Sequence, residues 1–222
     1  MTQMGLTREQ IARRVAQELR DGMVVNLGIG IPTLVSDHTP DGISVIFQAE
    51  NGILGYGPIS TNGGAIDWDR INASGEPVSL LSGACFFHSA DSFIMIRGGH
   101  VDLAVLGGLQ VSEKGDLANW MVPSKGMGSI GGAMDLAVGA KRVVVAMEHA
   151  TKTGEPRIVK ECSYPLTGAG VVDLIVTNLA VIQVTSTGLL LRELAPGVSS
   201  EYVRSLTEPV LIPAPNLREM DL

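Results

Sequence analysis

Residues 23–32, with the sequence MVVNLGIGIP, decide the fold class of this chain. The first five residues are predicted to form a strand. Gly28 and Gly30 then allow a tight turn, and Pro32 suits the first turn of a helix. A strand, a glycine turn and a helix in this order form the repeating unit of α/β proteins. The stretch therefore predicts strands that alternate with helices.

The same pattern recurs along the chain. Residues 101–106 form a second β-type run that ends in two glycines, and the helical stretch 133–140 follows a glycine-rich segment. Residues 142–147 are almost continuously apolar, which is typical of a strand buried on both faces of a parallel sheet. Upstream, Thr7 and Gln10 have the spacing of a capping box at the start of an amphipathic helix.

The C-terminal part of the chain has a different pattern. Residues 173–176, 180–185 and 189–194 are predicted to be successive strands, and TSTG at 185–188 is predicted to be a hairpin turn. The whole pattern predicts an α/β fold: a three-layer αβα sandwich around a mostly parallel mixed sheet, with an antiparallel meander late in the chain.

The domain organisation follows from the absence of any linker, repeat or low-complexity tract. A chain of 222 residues with 45% hydrophobic residues can bury a full core. We therefore predict a single domain over residues 1–222, with its core at about 7–212 and a loose C-terminal tail at 213–222.

Composition excludes several classes of function. A formal net charge of −7 argues against a nucleic-acid partner, because phosphate binding requires a concentrated basic face. No stretch approaches the roughly 20 apolar residues of a membrane span, and no signal segment is expected. Two isolated cysteines fit a reducing compartment, so we expect a cytoplasmic protein without membrane attachment. Four scattered histidines do not suggest a metal site.

Glu50 is the strongest candidate for chemistry. It follows an apolar run at 43–47 and precedes residues 51–58 (NGILGYGP), which contain too much glycine to be expected to continue a strand. A side chain at such a turn is held by a rigid sheet edge, and glycines admit a substrate closely. A carboxylate there can act as acid, base, ligand or nucleophile. It can also be a surface turn residue that caps a backbone amide.

Two glycine-containing segments offer backbone amides. Gly131 and Gly132 precede a helix, and free N–H groups at a helix N-terminus suit an oxyanion or a carboxylate. A simple loop-to-helix junction would have the same sequence. Gly28 and Gly30 give only a weak match to a dinucleotide-binding motif, because Thr33 stands where the third glycine would fall.

Five segments in one order resemble the beta subunit of the family I coenzyme A transferases, the 3-oxoacid CoA-transferases. They are VNLGIGIPT at 25–33, ENG at 50–52, IRGGH at 96–100, GDLANW at 115–120 and GGAMDL at 131–136. The resemblance extends from about residue 7 to about residue 205. Each motif alone is weak, whereas the ordered set is highly specific.

The resemblance implies roles for several site residues. Glu50 falls on the family's catalytic nucleophile, and Ala49 stands where the family usually has serine. Asn26 matches an active-site asparagine, and Gly132 matches a glycine whose amide faces the reacting thioester. Asn26, Gly131 and Gly132 would bind the substrate and its oxyanion. The residues that would support the loops around them are Gly28, Gly30, Asn51 and Gly52.

The resemblance also implies the reaction and the partner. Glu50 would attack an acyl-CoA, with succinyl-CoA as the expected donor and acetoacetate or 3-oxoadipate as the expected acceptor, through a glutamyl-CoA thioester. Butyrate or acetate–acetoacetate transfer is an alternative. An alpha subunit is implied, in a heterodimer or an α2β2 heterotetramer. CoA and acyl-CoA are substrates, and neither a metal nor another cofactor is expected.

Two further functions fit an α/β fold of this kind. A sugar-phosphate isomerase would need a basic phosphate pocket beside a carboxylate base, and Arg97 is the one obvious anchor for a phosphate. A non-catalytic subunit that binds acyl-CoA would have no use for an acidic residue between a strand and a glycine turn.

Overall fold

The computed structural model of the protein describes residues 5–60, 66–126 and 128–222. Its helices are α1 (Arg8–Ala16), α2 (Ser89–Arg97), α3 (Ala133–Gly139) and α4 (Ser200–Ser205), with 3-10 helices at Ile31–His38 and Pro123–Lys125. Helix α1 begins at the predicted capping box. The amide of Gln10 donates to Oγ1 of Thr7 (3.2 Å), and the amide of Thr7 donates to Oε1 of Gln10 (2.9 Å).

The described residues form a ten-stranded sheet and a small three-stranded sheet. The strands are β1 (Val24–Leu27), β2 (Ile46–Ala49), β3 (Ile53–Ile59), β4 (Val78–Phe86), β5 (Leu103–Gly107), β6 (Gln110–Ser112), β7 (Leu117–Ala118), β8 (Val143–Met147), β9 (Ile158–Val159), β10 (Leu174–Thr177), β11 (Ala180–Thr185), β12 (Gly188–Leu194) and β13 (Leu211–Glu219). The large sheet has the order β13-β12-β11-β10-β8-β5-β1-β2-β3-β4, and the small one has the order β7-β6-β9.

The centre of the large sheet is parallel, as predicted. Strands β10, β8, β5, β1 and β2 are neighbours in parallel pairs. Every residue of β8 is buried, so both faces of the sheet are covered there. Helix α1 packs with the 3-10 helix Ile31–His38, whereas α2 packs with α3. These two helix layers enclose the sheet, and the predicted α/β class with a mostly parallel mixed sheet is confirmed.

Each flank of the sheet contains an antiparallel meander. The meander β10-β11-β12 was predicted, but the meander β2-β3-β4 was not. The expectation that the glycine-rich segment after Glu50 leaves the strand pattern was wrong, because Ile53–Ile59 forms β3. Gly55 has a φ of +84°, and the register of β3 shifts between Leu54 and Tyr56. Glycine therefore permits a β-bulge here instead of ending the strand.

The predicted loose C-terminal tail was also wrong. Residues Leu211–Glu219 form β13, which pairs in parallel with β12 at one edge of the large sheet. Pro213 and Pro215 suggested a loop, but proline is tolerated in an edge strand because one side of such a strand needs no ladder hydrogen bonds. Beyond the strand, Met220 is buried and its amide donates to the main-chain oxygen of Leu194 (2.8 Å).

A buried ion network ties α1 to the sheet. The guanidinium of Arg14 contacts Oε2 of Glu193 in β12 (2.6 Å) and Oε1 of Glu18 (2.9 Å). Arg142 binds Glu18 (2.7 Å), and Arg218 of β13 binds Glu193 (3.0 Å). Burial by itself would raise the pKa of Glu193, but the hydrogen bonds and charges of Arg14 and Arg218 outweigh it and lower that pKa. We call these five residues the ion clasp.

The order in which strands are added to the sheet reverses beside β1. Strand β2 lies on one side of β1 and β5 lies on the other, so the connections that leave β1 and β5 run to opposite sides. Such a switch point leaves a crevice outside the carboxyl ends of the strands, where α/β proteins bind ligands. The end of β2, which carries Glu50, lies at the same edge.

Candidate active site

A cavity of about 350 Å³ lies at this switch point. Its walls come from the segments after β1 and β5 and from the segment that leads into α3, and they include Gly28, Ile29, Glu50, Leu109, Trp120, Ile130, Gly131 and Gly132. Among the described lining residues Glu50 is the only charged side chain. A carboxylate thus projects into a largely apolar crevice.

A tight turn after β2 positions Glu50. The amide of Gly52 donates to the main-chain oxygen of Ala49 (3.0 Å), and Gly52 has a φ of +116°. A Cβ atom at Gly52 would collide with the main-chain oxygen of Phe87, so residues with a side chain are excluded there. The predicted supporting role of Gly52 therefore has a clear steric basis.

The structure brings Glu50 and the glycine pair before α3 together. An ideal Cβ on Gly132 would lie 3.7 Å from Cγ of Glu50 and 3.0 Å from the ring of Phe93. Among the described residues, the amides of Gly131 and Gly132 have no hydrogen-bond acceptor. These two N–H groups are therefore available next to the carboxylate. A side chain at position 132 would crowd Phe93 and touch Glu50.

Asn26 belongs to a buried relay that the sequence did not predict. Its Nδ2 donates to both the main-chain oxygen (3.0 Å) and Oε1 (2.7 Å) of Gln48. Nε2 of Gln48 donates to Oγ of Ser92 in α2, and that hydroxyl donates to the main-chain oxygen of Ala49 (3.2 Å). Ser92 thus holds the peptide bond between Ala49 and Glu50. Asn26, Gln48 and Ser92 are fully buried, and we call them the polar relay.

Two acceptors at the site lack a donor. Among the described residues, two buried side-chain atoms that can form hydrogen bonds have no partner: Oδ1 of Asn26 and Oε2 of Glu50. Buried polar atoms are paired in the great majority of cases, so unpaired ones need an explanation. Both N–H groups of Asn26 are directed at Gln48, and the prediction that its amide donates to an oxyanion stays a prediction.

The remaining predicted residues hold the loops around the cavity. The amide of Gly28 donates to the main-chain oxygen of Val105 (2.8 Å). The amide of Gly30, whose φ is +91°, donates to Oγ of Ser74 (3.2 Å), and Nδ2 of Asn51 donates to the main-chain oxygen of Ile71 (2.7 Å). The latter two contacts fix a loop whose Ala73 lines the cavity. No local pattern in the sequence pointed to this loop.

Tyr56 is a buried neighbour of the carboxylate. Burial, and to a smaller extent the negative charge of Glu50, raises the pKa of its phenol. The phenol therefore stays protonated at every physiological pH. Its ring stacks at a tilt on Phe47 with centroids 5.5 Å apart, so Tyr56 adds to the apolar support beneath Glu50.

Other candidates from the sequence lie elsewhere. Arg97, the anchor that an isomerase would need, is paired with Asp135 (2.6 Å) on the surface and does not line the cavity. His88 caps α2, and His149 is buried between Oγ1 of Thr177 and Oγ1 of Thr207 (2.9 Å each). The described ranges contain no cluster of three His, Cys, Asp or Glu side chains suited to a metal.

The described residues also lack any helix long and apolar enough to cross a bilayer. The fold and the cavity together define an α/β protein with a carboxylate in a cavity at the switch point of its sheet. This chain belongs to the coenzyme A transferase family, whose match covers residues 8–206.

Several relatives share about half of the sequence. The B subunit of succinyl-CoA:3-ketoacid coenzyme A transferase from Helicobacter pylori is 54% identical over 90% of this chain and 96% of its own length. The beta subunit of acetate CoA-transferase from Escherichia coli is 50% identical over 90% of this chain and 91% of its own. The B subunit of 3-oxoadipate CoA-transferase from Acinetobacter baylyi is 50% identical, covering 94% and 96% respectively.

A solved structure has the same fold. The acyl-CoA transferase YdiF of Escherichia coli O157:H7 aligns with a TM-score of 0.77 and 21% identity, over 97% of this chain. This chain spans 43% of the length of YdiF. At this identity the likeness concerns the fold alone.

Proposed function

We propose that this chain is the catalytic subunit of a CoA-transferase that moves CoA from an acyl-CoA to a 3-oxoacid, with Glu50 as the nucleophile. One observation carries the proposal: the carboxylate of Glu50, with Oε2 unpaired, lies beside Gly132 in the cavity at the switch point. Membership of the coenzyme A transferase family supports the nucleophilic role proposed for Glu50.

The first half-reaction converts Glu50 into a thioester. A carboxylate oxygen attacks the carbonyl carbon of the acyl-CoA, the C–S bond breaks, and a mixed anhydride and CoA thiolate result. The thiolate then attacks the glutamyl carbonyl carbon, which releases the donor acid as a carboxylate and leaves glutamyl-CoA. The acceptor carboxylate repeats these two steps in reverse order, and Glu50 is regenerated. Bonds and charges balance without a metal or a redox cofactor.

The surroundings suit this chemistry. Negative charge develops on a carbonyl oxygen at each addition, and a well-placed donor contributes about 3 kcal/mol to its stabilisation. The free amides of Gly131 and Gly132 are the candidates for such donors. The walls formed by Ile29, Leu109 and Ile130 are apolar, which favours the displacement of water when substrate fills the cavity. Water would hydrolyse both the anhydride and the thioester.

Succinyl-CoA is the proposed donor, and acetoacetate or 3-oxoadipate is the proposed acceptor. The names of the relatives from Helicobacter pylori and Acinetobacter baylyi support these two acceptors, and the Escherichia coli relative keeps acetate as an alternative. All three relatives are named as B or beta subunits, which implies an alpha subunit as the partner. We propose a heterodimer or α2β2 heterotetramer that acts in the cytoplasm.

The decisive experiment traps the intermediate. The assembled enzyme is incubated with succinyl-CoA alone and digested, and the peptide that carries residue 50 is analysed by mass spectrometry. A CoA adduct on this peptide that hydroxylamine removes is expected. The Glu50→Gln variant should give none, whereas Glu9→Gln, on the exposed face of α1, should behave like the parent. A parent enzyme that turns over without forming the adduct would contradict the mechanism.

The acceptor is determined by a separate measurement. Values of kcat/KM are compared for acetoacetate, 3-oxoadipate and acetate with succinyl-CoA as the common donor. A preference for one of the two 3-oxoacids is expected. If acetate is the best acceptor, the enzyme is an acetate CoA-transferase instead. That result would not contradict the glutamyl mechanism.

A further inference from the structure

Strand β4 is an apolar edge strand that is largely exposed to solvent. It is the last strand at one edge of the large sheet, and residues 78–86 read VSLLSGACF, without a charged residue. From Leu81 onward the strand leaves the core, and most residues up to Phe86 are exposed on both faces of the sheet. Leu81 is 46% exposed and Phe86 is 58% exposed. In the part of the chain that the structure describes, an apolar strand is thus uncovered on two faces and along one edge.

The opposite edge of the same sheet is protected. Strand β13 carries Pro213, Pro215, Arg218 and Glu219, which are the devices that proteins use to prevent an edge strand from pairing with another chain. Strand β4 has neither proline nor charge. Such an edge is a ready template for association, so we expect a specific partner to cover it in the working protein.

The uncovered end of β4 adjoins the catalytic turn. Phe86 pairs with Ile53 of β3, and Cys85 pairs with Leu54. The amide of Phe87 donates to the main-chain oxygen of Gly52 (3.0 Å), two residues after Glu50. A protein seated on residues 81–86 would therefore reach the mouth of the cavity.

The cavity itself is incomplete for an acyl-CoA. The CoA moiety carries phosphates, which proteins hold with Arg, Lys or rows of backbone amides. Glu50 is the only charged side chain among the described lining residues, and a carboxylate repels a phosphate. The described lining therefore supplies no basic side chain for the CoA phosphates, and a partner seated on β4 would add such groups beside the cavity.

We infer that residues 81–86 of β4 are the docking surface for the alpha subunit of the transferase. This inference rests on the proposed function. A second copy of this chain fits less well, because it would bring another −7 of net charge and a second acidic turn to the site. The alpha subunit covers the exposed strand and at the same time completes the cavity around Glu50.

Paired lysine substitutions at the two sheet edges test the inference. Leu81→Lys places a charge on the docking surface, and Ile212→Lys is the matched control in β13, where Ile212 is 39% exposed. Binding of the purified alpha subunit is measured by calorimetry without acyl-CoA, and folding of each variant is checked by circular dichroism. Leu81→Lys should weaken binding at least about tenfold, and Ile212→Lys should change it less than about twofold.

A second measurement needs no variant. Hydrogen exchange of the amides of residues 81–86 should slow when the alpha subunit is added to the parent chain, and that of β13 should not change. Binding of folded Leu81→Lys within about twofold of the parent, or unaltered exchange at β4, would overturn the inference. So would a dimer of the chain alone that Leu81→Lys dissociates. Because no acyl-CoA is present, these results are independent of the test for glutamyl-CoA.

Discussion

The ion clasp and the site around Glu50 are two groups of polar side chains with opposite hydrogen-bonding states. In the clasp, both oxygens of Glu193 and both oxygens of Glu18 have guanidinium partners. At the site, Oδ1 of Asn26 and Oε2 of Glu50 have none among the described residues. A cluster whose acceptors are all paired has none left for a ligand, whereas a cluster with unpaired acceptors has. The difference separates a structural cluster from a functional one.

The largest effect is expected from Glu50→Gln. Loss of the nucleophile should lower kcat by about 10⁴-fold or more, because no other described carboxylate lines the cavity. The same change should leave stability equal or higher, since a neutral amide costs less to bury without a partner than a carboxylate does. Steady-state kinetics and thermal unfolding measure the two effects. A variant that is both active and strongly destabilised would place Glu50 with the structural cluster.

For the ion clasp, we expect a large loss of stability and little change in activity. Glu193→Ala leaves Arg14 buried without its main partner and should lower the free energy of unfolding by about 3–5 kcal/mol. The folded fraction should keep its kcat. Urea denaturation gives the first quantity and activity per folded molecule the second. The control is Arg70→Ala, which removes an exposed pair with Asp67 and should cost less than about 1 kcal/mol.

His149 is a buried side chain that is hydrogen-bonded and can also titrate. We expect its effect on stability to be smaller than that of Glu193. Burial lowers the pKa of His149 to about 4, whereas the unfolded chain has the ordinary value near 6.5. The unfolded state therefore binds more protons between these values, and stability should fall by about 3 kcal/mol as the pH drops from about 6.5 to about 4. Denaturant midpoints across this range measure the loss. In His149→Gln this part of the pH dependence should be missing, and an unaltered curve would assign the loss to other groups.

The smallest effect is expected within the polar relay. Ser92→Ala removes the hydroxyl that joins Gln48 to the peptide bond before Glu50, so kcat should fall about tenfold with little change in KM. Stability should fall by about 1–2 kcal/mol. Ser92→Thr keeps the hydroxyl and should restore most of kcat. Ser79→Ala, which loses an exposed contact to Pro58, should match the parent. Equal losses in the Ala and Thr variants would show a packing role only.

The comparison also shows which site residues a sequence can predict. Glu50, Gly131 and Gly132 were predicted because a strand end and a helix start have local patterns, and the structure brings them together from distant parts of the chain. Gln48 had a weaker signal, as a polar residue in a strand that is buried. Ser92 and Ala73 had none, because each reaches the site through the packing of a distant element.

The sequence by itself determined the alternation of helices and strands, the capping box at Thr7 and the carboxylate at a glycine turn. Propensity, capping and turn geometry depend on residues a few positions apart, so they can be predicted locally. Only the tertiary structure decided that residues 211–219 join the sheet, that Ser92 holds the turn of Glu50 and that β4 is left uncovered. These features depend on strand order and on contacts between distant segments, which no local pattern specifies.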